Sequence, residues 1–91
     1  MKYRKKPVTV DVILIEAKYK NYKEIVAFVG DELIYPLGMG ETFTFEIRTA
    51  EGLMKTRPGY WIIKAPDPKG GFRFWSVDPE YFAENYEAID K

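Results

Sequence analysis

The sequence predicts an α+β domain with a curved, mainly antiparallel sheet of about five or six strands. One amphipathic helix is expected over about 21–29 and a short C-terminal helix over about 79–87. Three observations predict this class. β-Branched or alternating runs of strand length recur along the chain, and only two stretches carry helical spacing with helix end signals. Turns rather than helical crossovers separate most strands. The 91 residues make a single domain over 1–91, in the size range where burial is incomplete and oligomers are common.

Lys2-Tyr3-Arg4-Lys5-Lys6-Pro7 opens the chain with four cations and a proline that cannot donate to a ladder, which predicts a strand edge or an exposed lead-in. Val8 to Glu16 is rich in β-branched residues. Val8, Val10, Val12 and Leu14 share one face and Thr9, Asp11, Ile13 and Ile15 the other, predicting a central strand that becomes buried on both sides. Asn21 stands three residues before Glu24, the spacing at which side chain and backbone satisfy each other's free donors at a helix start. Tyr22, Ile25, Val26 and Val29 then form an apolar stripe, and Gly30 supplies the stop.

Leu33 to Leu37 predicts a short strand, closed by Pro36 and the Gly38-Met39-Gly40 connector. Thr42 to Thr49 alternates, with Phe43, Phe45 and Ile47 inward. Ala50-Glu51-Gly52 turns the chain back into Leu53-Met54-Lys55-Thr56. Arg57-Pro58-Gly59 is a second turn. Tyr60 to Ala65 is a strand with Trp61 and Ile63 on one face and Tyr60, Ile62 and Lys64 on the other. After the Pro66–Gly71 loop, Phe72 to Val77 puts Phe72 and Phe74 opposite Arg73, Trp75 and Val77. Asp78-Pro79 is a capping residue followed by proline at the first helical position, with Phe82, Tyr86 and Ile89 as the apolar stripe.

Fourteen basic and fourteen acidic residues cancel, which argues against bulk DNA or RNA binding, since that needs a clustered cationic excess. The charge is nonetheless uneven: +4 over residues 1–30 (seven basic, three acidic) and −4 over 76–91 (one basic, five acidic). The simplest reading is that the two ends lie near each other and neutralise across solvent; the alternative is a functional basic arm at the start of the chain. Absence of cysteine and histidine removes disulfides, thiolate zinc sites, thiol nucleophiles and the commonest general base. No apolar run approaches the ~20 residues that span a bilayer, so a cytoplasmic protein without membrane contact is expected.

Chemistry has little to stand on. The only serine, Ser76, has no histidine to activate it, and carboxylates such as Glu46 with Glu51, or Glu80, Glu84 and Glu87, lack the deep cleft a glycosidase pair needs. No enzyme, metal or cofactor is expected. Binding is better served: Arg57, Lys64, Lys69 and Arg73 lie close in sequence to Tyr60, Trp61 and Trp75, and cations beside aromatic faces suit stacked bases, phosphates or a protein partner. These seven residues form the candidate site, while the competing reading places both tryptophans in the core or in a homo-oligomer interface.

Arg4-Lys5-Lys6-Pro7-Val8, Pro58-Gly59-Tyr60-Trp61-Ile62-Ile63-Lys64, Phe74 to Phe82 and Tyr86-Glu87 resemble, in order and spacing, a family of small phage and prophage proteins. The likeness covers both ends and the helix. Tyr60 stands where that family carries aspartate, and the 66–70 loop is longer. The resemblance implies a phage setting and a non-enzymatic accessory role. Such a protein acts by binding, either sequestering a signalling nucleotide of host defence or blocking a host protein; a structural or assembly role through homo-oligomerisation is the alternative.

Overall fold

The computed structural model describes residues 1–2, 9–34, 45–49 and 51–89. Along these run β1 (Asp11–Leu14), α1 (Tyr22–Val29), β2 (Leu33–Ile34), β3 (Glu46–Thr49), β4 (Gly52–Lys55), β5 (Trp61–Pro66), β6 (Phe72–Val77) and α2 (Pro79–Asn85). The α+β class stands, but the expected single curved sheet is replaced by two three-stranded antiparallel sheets, β1-β5-β6 and β2-β3-β4. The lead-in at 2–7 beyond Lys2, the strand end at 35–37, the 38–40 connector, positions 42–44 and Ala50 lie outside the described residues.

Both sheets take their inner faces from alternation. Phe45, just before β3, and Ile47 on it turn inward while Arg48 is exposed, and Ile62 and Phe74 answer from β5 and β6. Ile15, Ile25, Val29, Leu33 and Tyr19 complete the core between the sheets and α1. The predicted stripe on α1 holds at Ile25 and Val29, but Tyr22 is 48% exposed. Phe28 takes its place, packing edge-on to Phe74 at 6.3 Å.

β1 is an edge strand among the described residues, not the central strand expected, and β5 takes the central place. A four-residue apolar run does not by itself distinguish the two positions. Only Ile15, just past the strand, is buried, and Leu14 is 38% exposed. The Arg57-Pro58-Gly59 turn fixes how β5 starts: Tyr60 N–H donates to Arg57 C=O at 3.0 Å, and Gly59 N–H donates to Ile15 C=O at 2.7 Å while Ile15 N–H donates to Tyr60 C=O at 2.9 Å. Gly59 and Tyr60 thus oppose one residue, the bulge that requires glycine at its first position, and Gly59 has φ +92°.

Asn21 does not cap α1 with its side chain. Its amide donates to Leu14 C=O at 2.7 Å and its oxygen accepts Glu16 N–H at 3.1 Å, so it closes the β1–α1 connection instead. Tyr19 in that connection is buried, with its hydroxyl 3.1 Å from both Thr56 C=O and Thr56 Oγ1 and its ring edge-on to Phe45 at 5.0 Å. Lys18 and Tyr19 adopt φ of +57° and +55° to deliver that side chain. Asp78 caps α2 as predicted, accepting Tyr81 N–H at 2.7 Å with Pro79 at the first helical position. The helix stops at Asn85, two residues short of the expected end, and Ile89 is 64% exposed rather than part of the stripe.

Candidate functional site

Directly opposed residues of an antiparallel pair share a face. The β5–β6 register opposes Trp61 to Val77, Ile63 to Trp75 and Ala65 to Arg73, and on the other face Ile62 to Ser76 and Lys64 to Phe74. The sheet therefore divides the seven residues singled out from the sequence. Trp61, Arg73 and Trp75 lie on the outer face of the β1-β5-β6 sheet. Lys64 lies on the core side, and Tyr60 is half-buried against the core. Arg57 and Lys69 are exposed in the turns beyond opposite ends of β5, whose six residues by themselves span about 17 Å.

Three of the seven have structural surroundings of their own. The Lys64 ammonium sits 4.5 Å from the Phe72 ring centroid, 5.5 Å from Phe28 and 5.8 Å from Phe74, a cation–π arrangement that ties α1 to the β5–β6 hairpin. Trp61 stacks on Phe82 at 4.0 Å with 6° between ring planes, and Phe82 stacks on Tyr86 at 5.2 Å. This stack seats α2 on the outer face of the sheet. Lys69 belongs to a hairpin loop closed on itself: Asp67 Oδ1 accepts Lys69 N–H at 2.9 Å, Asp67 C=O accepts Gly70 N–H at 2.9 Å, and Gly71 C=O accepts Asp67 N–H at 3.0 Å.

Apart from Arg57, exposed in its turn, Arg73 and Trp75 remain, and they meet a different partner. β6 lies alongside the β3–β4 hairpin, leaving a groove of ≈ 320 Å³ lined by Thr49, Glu51, Met54, Arg73, Phe74 and Trp75. That volume falls at the lower end of small-ligand sites. Trp75 is half-buried there, whereas Arg73 and Glu51 are exposed. The ion pair among the described residues joins Arg48 to Glu32 at 3.9 Å, and among these residues neither Arg73 nor Glu51 has an ion-pair partner. Thr49 is occupied locally: its hydroxyl donates to Gly52 C=O at 2.7 Å and accepts Glu51 N–H at 3.2 Å, which holds the hairpin tip. Met54 reaches across to β6, where its Sδ accepts Ser76 N–H at 3.0 Å.

The groove thus offers an aromatic face, a guanidinium that can bind an anion or carbonyl, a carboxylate that can accept donors, and a polarizable thioether. Thr49, Met54 and Phe74 escaped the sequence reading as site residues, and Glu51 entered it only as a carboxylate paired with Glu46. Met54 and Ile47 are cross-strand partners on the inner face, so alternation along β4 marks Met54 as inward-facing, but nothing local tells that β4 approaches β6. Among the described residues no group of three or more Asp or Glu is placed to hold a metal ion, and no helix is long and apolar enough to cross a membrane. No protein-family model matches the chain, and neither the curated proteins nor the solved structures contain a significant match.

Proposed function

We propose that the chain is a non-enzymatic accessory protein of the phage type that neutralises a host factor by binding it through the groove between β6 and the β3–β4 hairpin. The observation that carries this reading is the pairing of half-buried Trp75 with exposed Arg73 in that groove, opposite Glu51 and Met54. Tryptophan and arginine are the residue types enriched at binding hot spots, and Arg73 has no ion-pair partner among the described residues. The bound factor is a host protein or a small nucleotide. Trp61, Tyr60 and Lys64 leave the site under this reading, because stacking, core packing and a ring cage account for them.

The test is a capture experiment. Tagged protein is exposed to bacterial lysate, recovered and denatured, and both retained proteins and released small molecules are identified by mass spectrometry. A species held by wild type and lost in Trp75→Ala and Arg73→Glu supports the reading; equal retention by both variants contradicts it. A homo-oligomeric assembly role is the second reading, favoured by Leu53 at 60% and Phe72 at 54% exposure. It predicts a mass above one chain in light scattering, with loss of assembly in Leu53→Ser.

A further inference from the structure

Hydrogen bonding in an antiparallel ladder alternates, so every second residue of β6 points its N–H and C=O away from β5. The phase is set by two independent observations. Ser76 N–H donates to Met54 Sδ, on the side away from β5, and Pro66, which has no N–H, opposes Phe72 in the same phase as the Ser76 pair. Phe74 lies midway between Phe72 and Ser76. Its N–H and C=O therefore point away from β5 too, and Phe74 lines the groove.

From this we infer that the groove receives an extended peptide segment of a partner protein, which adds as a strand along the outer edge of β6 at Phe74. The inference rests on the groove being the binding site. A base stacked on Trp75 would use the indole and the guanidinium but leave the Phe74 edge unanswered. A peptide answers all of it: its own N–H and C=O pair with Phe74, and main-chain bonds supply affinity while alternate side chains supply selectivity. Thioether sulfur is a weak acceptor, so a peptide carbonyl replaces Met54 Sδ on Ser76 N–H with a stronger partner. Side chains set the polarity of the segment. An acidic residue faces Arg73 and a basic residue faces Glu51, since neither has an ion-pair partner among the described residues. At a rise of about 3.3 Å per residue the edge from Arg73 to Ser76 takes about four peptide residues.

The test pans a displayed library of linear octapeptides on the full-length protein, then measures affinity for the enriched sequence with each backbone nitrogen methylated in turn. Methylation at alternate positions is expected to weaken binding more than tenfold while the intervening positions change it less than twofold. Arg73→Glu is expected to shift the preferred peptide charge from acidic to basic at one position. Absence of an enriched sequence, or a methylation scan without alternation, overturns the inference. Adenosine and guanosine monophosphates are run alongside. If a nucleotide binds wild type, is lost in Trp75→Ala, and no peptide enriches, the groove stands as the site and strand addition fails. If neither probe class binds, both the inference and the reading of the groove fail.

Discussion

Replacing Trp61 by alanine removes an indole that is half-buried between β5 and α2 and stacked on Phe82 at 4.0 Å. A fully buried tryptophan truncated to alanine costs about 3–5 kcal/mol, and half that loss is expected at half burial. The parallel ring contact adds about 1 kcal/mol. The sum, about 2.5–3.5 kcal/mol, is a large part of the ~5–14 kcal/mol expected for a domain of 91 residues. It corresponds to a fall in Tm of about 10–20 °C. Urea unfolding followed by circular dichroism measures the loss directly. A Trp61/Phe82 double-mutant cycle isolates the ring contact, for which a coupling of about 0.5–1.5 kcal/mol is expected. A total loss below about 0.5 kcal/mol would refute the reasoning, because Trp61 would then be free of α2 and available as a contact residue.

Three further substitutions probe how the scaffold is held. Asn21→Ala strands Leu14 C=O and Glu16 N–H, which Asn21 now satisfies, and is expected to cost about 1–3 kcal/mol in chemical denaturation, more than loss of a simple helix cap. Gly59→Ala meets no steric obstacle from neighbouring atoms but must hold φ +92°, so a loss of about 1–2 kcal/mol from backbone strain alone is expected, with an unchanged spectrum. Asp78→Ala removes the cap on Tyr81 N–H and is expected to cost about 0.5–2 kcal/mol, read as earlier thermal loss of helical signal, whereas Asp78→Asn keeps most of the stability.

Elements governed by local chemistry were legible in the sequence. Helix α1 follows from its 3.6-residue spacing and its glycine stop, the β3–β4 hairpin from alternation and Gly52, and the start of α2 from Asp78-Pro79. What failed was decided at long range. Asn21 looked like a cap because its spacing to Glu24 is right, yet the backbone groups of Leu14 and Glu16 compete for its side chain and win. β1 looked central because its residues are apolar, but only the pairing pattern reveals an edge. The opposite faces of Lys64 and Trp61 were legible from alternation and hold in the sheet; what sequence proximity between 57 and 75 hid is that Trp61 is taken up by Phe82 and Lys64 by the rings of Phe28, Phe72 and Phe74. The groove depends on Met54 and Glu51 from the second sheet, and no local pattern announces that approach.

The central claim is that Trp75, and not Trp61, carries binding. Equilibrium affinity for the captured partner, measured side by side for wild type, Trp75→Ala and Trp61→Ala at a temperature where all three are folded, tests it most directly. A hot-spot residue contributes at least about 2 kcal/mol, so Trp75→Ala is expected to weaken binding by about 30-fold or more, while Trp61→Ala leaves affinity within about twofold. Loss of binding in Trp61→Ala with none in Trp75→Ala would contradict the account.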